Sequence, residues 1–241
     1  MLARLLDVLA PPLCLACGEA ADDALCAACR MAMPWLRDAC PRCALPRPCA
    51  PCPAARQRLA AVWAPVVHEG PARALVHALK FHAHLAAADV MAAQMAATLA
   101  RAAATPSAGP PAAAGPFAER SPTTIPFADA PLVPVPFAPG RRRRRGYDPA
   151  DLLASRLAQR TGLPLLRCLR RGGEGRQVGS PRAERLRAGG VVVEGRAPPV
   201  AMLVDDVHTT GATLDACARA LASGGTRTIV AVTYARTVRR T

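Results

Sequence analysis

Four Cys-x-x-Cys units crowd the first part of this 241-residue chain: Cys14 with Cys17, Cys26 with Cys29, Cys40 with Cys43, and Cys49 with Cys52. Each unit turns two thiolates toward one point, and two units fill all four positions of a tetrahedral zinc ion. Two structural zinc ions are therefore expected, with eight of the ten cysteines as ligands. Pairing of consecutive units is the first expectation. An interleaved pairing satisfies the same count, and a redox or disulfide cluster, or a site degenerated to bind one metal, is the other use of such spacing. Gly18, directly after Cys17, suits the tight backbone of a zinc knuckle, in which nearby N–H groups turn toward sulfur. His68, His77, His82 and His84 fall outside the spacing and are expected at the surface or behind the ligands. Cys168 and Cys217 are expected to be ordinary buried residues, Cys217 sharing an apolar helix face with Leu214 and Leu221.

This metal expectation assumes a reducing compartment, where clustered thiols bind metal rather than form disulfides. Residues 1–13 carry Arg4 and Asp7 inside a short apolar run and reach Cys14 before a plausible cleavage site, so no signal peptide is expected. The Ala-rich stretch 85–104 contains Asp89, Gln94 and Arg101, which makes it a poor membrane span. A soluble, cytoplasmic protein is the expectation. Its length suits one α/β domain with a core plus a small accessory module. Aromatics are only 3% of the chain against 51% hydrophobic residues, so that core must be built from Ala, Val and Leu.

The net charge of +14 favours phosphorylated or polyanionic partners. Lys80 is the one lysine, however, and the other basic side chains are all Arg. Arg and Ala richness of this kind also follows from base-composition bias, which discounts the charge argument.

Composition divides the chain into a Cys- and Pro-rich module, 1–58, and a second domain, 59–241, interrupted by a Pro/Ala-rich insertion at 105–130 that has no period. In the second domain, strand signals at 62–68, 132–136, 165–169, 200–204 and 228–234 alternate with helix signals at 72–80, from 85, at 148–161 and from 212. The stretch 170–190 is expected to be a polar loop. Such alternation predicts an α/β fold, a mainly parallel sheet with helices on both faces.

The most informative segment of that domain is VAMLVDDVHTTGATL, residues 200–214. An apolar strand runs into Asp205 and Asp206, then into a loop that opens a helix. Thr209, Thr210, Gly211, Ala212 and Thr213 offer hydroxyls and backbone N–H groups at that helix N-terminus, where the dipole also favours an anion. The loop lacks the Gly-Lys-Ser/Thr ending of a Walker loop. The two acids lie at the carboxyl end of the strand, which is where open α/β sheets bind ligands.

This segment resembles the signature of type I phosphoribosyltransferases. The resemblance implies that Thr209–Thr213 hold a 5-phosphate while Asp205 and Asp206, as catalytic residues, lie by the ribose hydroxyls and a magnesium-bound diphosphate. Across nearly the whole chain outside 105–130, the sequence is similar to the ComF proteins, which join a double zinc ribbon to such a domain and are linked to competence and DNA uptake. Three further stretches carry that resemblance. Residues 133–154, VPVPFAPGRRRRRGYDPADLLA, resemble the family's Val-Pro-Val-Pro strand, basic loop and helix start, with Tyr147, Asp148 and Pro149 replacing Phe, Asn and Gln. Arg141, Arg142, Arg143, Arg144 and Arg145 would then form the pyrophosphate loop. Arg176, Gln177, Arg182 and Arg185 resemble the family's flexible loop, although Ser180 and Ala188 stand where Leu and Asn are usual. LVHALKF, 75–81, looks like the family's helix ending in Lys.

The replacement Asp148 either sets a negative charge near the diphosphate or caps the following helix, and capping is the expectation. Lys80 is a candidate for a ligand phosphate, because a compact ammonium is not interchangeable with guanidinium.

Two functions from different classes follow. One is binding of phosphoribosyl diphosphate with magnesium and transfer of phosphoribose to an acceptor that the sequence does not identify. The other is a non-catalytic accessory protein that binds single-stranded DNA along its basic segments, works with the DNA-uptake machinery and uses the donor site as a sensor.

Overall fold

The computed structural model describes residues 12–55, 57–82, 84–104, 130–137, 146–171 and 190–238, the side chain of His82 excepted. Arg141–Arg145, the Arg176, Gln177, Arg182 and Arg185 stretch, and all of the 105–130 insertion except Ala130 lie outside the described residues.

The strands are β1 Ala61–Trp63, β2 Val66–Val67, β3 Leu132–Pro134, β4 Leu169–Arg171, β5 Val191–Val193, β6 Val200–His208 and β7 Thr228–Arg236. The helices, numbered in chain order, are α1 Ala27–Met31, α2 Gly70–His82, α3 Leu85–Ala104, α4 Pro149–Thr161 and α5 Ala212–Ser223. Strand order in the main sheet is β1-β7-β6-β3, with β2 also on β7, and every pairing in it is parallel. The long central strands β6 and β7 are buried almost throughout, as near-continuous apolar runs require, while the edges are three-residue strands.

Period-two alternation sends Met202 and Val204 of β6 and Val230, Val232 and Tyr234 of β7 to one face. There they pack on Leu75 and Leu79 of α2, Met91 and Met95 of α3, and Leu153 and Leu157 of α4. Ala201, Leu203, Ile229 and Ala231 take the other face, against Leu214, Cys217 and Leu221 of α5. The core is Ala-, Val- and Leu-rich, as the aromatic-poor composition requires, with Tyr234 as its one fully buried aromatic ring among the described residues.

Helices therefore lie on both faces of a mainly parallel sheet. The expected 62–68 strand is split into β1 and β2, β3 stops at Pro134 and β7 runs on to Arg236, and two further differences bear on the site. Leu165 makes only a single parallel bridge to Leu132, and the strand that follows is β4, one hairpin arm of an antiparallel pair with β5. Arg170 and Arg171, expected in a loop, are thus strand residues. The expected 200–204 strand continues to His208, so both acids sit within it. No helix among the described residues is long and apolar enough to cross a membrane.

Candidate functional site: an acid pair, an anion loop and two four-cysteine centres

Alternation along β6 decides where the two acids go. Asp206 continues the Met202–Val204 face and meets α2, where the Lys80 ammonium lies 2.8 Å from its Oδ1. Asp205 continues the Leu203 face toward α5. The Asp206 N–H donates to Asp205 Oδ1 at 2.8 Å. Burial, and then the negative charge of Asp206 beside it, push the Asp205 carboxyl up to about 8. Asp206 itself is buried, and His68 stands close enough to this cluster for Lys80 to add to the burial that holds its pKa below the ordinary value.

Beyond the acids, residues 209–211 form the turn into α5. Gly211 precedes the helix with φ 82°, a conformation that suits glycine, and it has no side chain with which to cap the first turn. Ala212 N–H finds only a 3.4 Å contact to Thr210 Oγ1. Asp205, His208, Thr209, Gly211, Ala212 and Thr213 line a cavity of about 30 Å³ at this point. His208 is 2% exposed, and burial with the charge of Arg236 lowers its pKa to about 4, so the ring is neutral. Its Nδ1 has no hydrogen-bond partner among the described residues. The end of β6 and the turn that follows it together offer carboxylates to a cation, and hydroxyls, backbone N–H groups and a helix dipole to an anion.

Pro136, Phe137, Tyr147 and Asp148 are tied to their surroundings by hydrogen bonds. Phe137 N–H donates to Asp148 Oδ2 at 3.2 Å, and Arg171 Nε donates to Pro136 O at 3.0 Å. The other oxygen of Asp148 accepts from Ala150 N at 3.0 Å and Asp151 N at 3.4 Å, making it the N-cap of α4. Capping, the expected role of this residue, is what is observed. The Tyr147 hydroxyl donates to the Leu79 carbonyl, which ties the start of α4 to the end of α2 beside Lys80.

The eight clustered cysteines separate into Cys14, Cys17, Cys26 and Cys29, and Cys40, Cys43, Cys49 and Cys52, the consecutive pairing. Within each group the sulfurs all lie within 4.8 Å of one another, and Cys17 Sγ to Cys26 Sγ is 3.8 Å. A tetrahedron with zinc–sulfur bonds of about 2.3 Å has edges of about 3.8 Å. Both knuckles repeat one turn: Gly18 N–H donates to Cys14 O and Ala44 N–H to Cys40 O, each at 2.8 Å, with φ 79° at Gly18 and 54° at Ala44. Burial alone would raise the Cys14 thiol, but N–H groups of Cys26, Cys17 and Ala16 aimed at its sulfur bring it down to about 6. Each donor set fits zinc and is complete without water.

Residues 5–60 match the double zinc ribbon domain. No curated protein matches the chain. The family match ends before β1 and covers neither the sheet nor its acid pair.

The two halves of the double ribbon sit differently. Cys14, Leu25, Cys29 and Met33 pack into the core on the α2 side, whereas Ala44, after the second knuckle, joins the α5-side core. Gln57 reaches the turn before α5: a Cβ built on Gly211 would lie 2.7 Å from Gln57 Nε2 and 2.7 Å from His208 Nε2. Arg236, at the end of β7, donates to Cys43 O at 2.9 Å, to His208 O at 2.7 Å and to Thr209 O. The sequence singles out the acids, Thr209–Thr213, Lys80 and the cysteines, and the cysteines do form two four-sulfur groups; Gln57, His208 and Arg236, which the fold brings to the same turn, are not among the expected residues. For Arg236 a signal existed, since it is a lone charge closing the apolar run TIVAVTYA.

Proposed function

We propose that this chain is a ComF-type protein, with a zinc module at 1–58 and a phosphoribosyltransferase domain at 59–241, that binds phosphoribosyl diphosphate with magnesium. The observation that carries this reading is the placement of Asp205 and Asp206 on β6 immediately before a small cavity at the start of α5. That cavity opens to solvent beside the helix N-terminus, where a phosphate would meet backbone N–H groups, with the ribose lying outward over the acids.

In this reading Thr209–Thr213 hold the 5-phosphate, and Asp205 and Asp206 face the ribose hydroxyls and the metal. Transfer breaks the bond from C1 to pyrophosphate as an acceptor nucleophile bonds C1, through an oxocarbenium-like transition state whose positive charge the carboxylates stabilise. Magnesium, when bound, neutralises the departing pyrophosphate. Arg141–Arg145 would meet the pyrophosphate and Arg176, Gln177, Arg182 and Arg185 would close over it. The zinc ions are structural in this scheme.

Calorimetry of the full chain with phosphoribosyl diphosphate and magnesium tests the reading, together with pyrophosphate release over a panel of acceptors. Asp205→Asn and Asp206→Asn should each weaken binding by about tenfold or more, the effect of removing one charge-assisted hydrogen bond. Wild-type affinity in both variants overturns the assignment.

A second reading, a single-stranded nucleic-acid binder serving DNA uptake, is favoured by the double zinc ribbon match and the basic charge. It predicts DNA affinity that falls steeply with salt, with a slope reduced when three of Arg141–Arg145 are replaced by Ala.

A further inference from the structure

The two four-cysteine centres make different contacts with the rest of the chain, and the difference falls on the anion loop. Arg236 is 4% exposed, and the three acceptors it reaches are backbone carbonyls: one belongs to a ligand residue of the second centre, Cys43, and two to residues entering the loop, His208 and Thr209. The register of the sheet brings Arg236 directly beside His208, so the fork spans a gap that the strand pairing sets. Two further links run parallel to it. Val62 N–H of β1 donates to Pro41 O inside the second knuckle at 2.8 Å, and the Gln57 amide, five residues past Cys52, lies against Gly211. The first centre has no such route to the loop among the described residues, and its packing is on the opposite face of the sheet.

We infer that Arg236 is a positioning residue for the anion loop, and that through it the second four-cysteine centre, and not the first, holds residues 208–211 in their binding conformation. The physical argument rests on where each end of the fork is anchored. The Cys43 carbonyl is fixed when Cys43 Sγ is a metal ligand. Zinc with four thiolates carries a net double negative charge, which favours a guanidinium held at that carbonyl. The same guanidinium then draws together the His208 and Thr209 carbonyls, turning the backbone at the mouth of the cavity. Loss of metal from the second centre frees the Cys43 end, and the loop loses the anchor that its own glycine does not supply.

The test uses the full chain in four forms: wild type, Cys49→Ser with Cys52→Ser, Cys17→Ser with Cys26→Ser, and Arg236→Lys. Zinc content, amide hydrogen exchange at residues 209–213 and affinity for phosphoribosyl diphosphate with magnesium are measured for each. The second-centre variant, holding one zinc, should exchange these amides about tenfold faster or more, while the first-centre variant, also holding one zinc, stays within about twofold of wild type. Arg236→Lys keeps the charge and both zinc ions but not the fork, and should also speed exchange at 209–213 by about threefold or more, which keeps the test open if a cysteine variant does not fold. Unchanged exchange in Arg236→Lys, or equal effects from the two centres, overturns the inference. The affinity arm rests on the sugar-phosphate reading above and should fall in step with exchange. If the variants show the exchange pattern but the wild-type protein binds no phosphoribosyl diphosphate, that reading fails and the coupling stands.

Discussion

The Lys80 ammonium lies 2.8 Å from the Asp206 carboxylate, with the lysine side chain 28% and the aspartate side chain 9% exposed. The pair ties the end of α2 to the end of β6 on one face of the sheet, while Asp205 turns to the other face without a cation at salt-bridge distance among the described residues. The acids are therefore not equivalent, although the sequence presents them as neighbours of one kind.

Removing only the cation leaves the buried Asp206 carboxylate unpaired beside the Asp205 carboxyl. Lys80→Met should destabilise the protein by about 1–3 kcal/mol, between the values for exposed and fully buried pairs. Asp206→Asn, which leaves a lysine that can still reach water, should cost less, and the double variant should recover part of the Lys80→Met loss. Thermal melts of the three variants and Lys80→Arg check this. Additive effects would mean that the ion pair contributes nothing to the fold. Wild-type ligand affinity in Lys80→Arg would end the idea that a compact ammonium is needed on a ligand phosphate.

Asp148 carries a separate prediction, because one carboxylate both caps α4 and holds Phe137 N–H. Asp148→Ala should cost about 1–2 kcal/mol, as loss of a good N-cap does, or roughly 2–4 °C in Tm for each kcal/mol. Asp148→Asn keeps one acceptor for the cap but turns its NH2 toward the other N–H donor, so its Tm should fall between those of wild type and Asp148→Ala. Affinity for phosphoribosyl diphosphate should be unaffected by Asp148→Asn. A clear gain in affinity there, with no change in Tm, would mean that the charge faces the ligand instead.

How much of this was legible beforehand depends on sequence distance. The cysteine centres could be read because each knuckle is built within a few residues, and consecutive pairing needs only a short chain reversal between Cys17 and Cys26. The β6 strand, the acids and the α5 loop could be read because an apolar run, two charges and a Thr-Thr-Gly turn follow one another directly. The Arg236 fork could not, since it joins residues 193 apart in the chain and its acceptors are carbonyls, which every residue has. The β4–β5 hairpin was missed for a related reason. Its arms are separated by a polar stretch, and the β-branched run Val191–Val193 has no partner nearby in sequence. Gln57 is invisible as a site residue until Gly211, far along the chain, is folded against it.

The final prediction concerns pH and Asp205. In the unfolded chain this carboxyl titrates near 3.8, the ordinary aspartate value, whereas in the folded protein burial and the neighbouring Asp206 charge push it up to about 8. Between those values the folded state holds a proton that the unfolded state has released, so the contribution of this group to stability falls as pH rises from about 4 to about 8 and is flat above. Asp205→Asn removes that slope. Its Tm relative to wild type should therefore rise steadily from pH 5 to pH 8, where the variant should be the more stable by a few degrees, about 2–4 °C for each kcal/mol of repulsion and desolvation relieved. A Tm difference independent of pH would show that Asp205 is ionised throughout and that its surroundings solvate the charge. Metal and sugar phosphate need the carboxylate form, so wild-type binding near pH 7 should release protons and Asp205→Asn should release fewer. Calorimetry in two buffers of different ionisation enthalpy measures that release, and equal release from the two proteins would place the titrating group elsewhere.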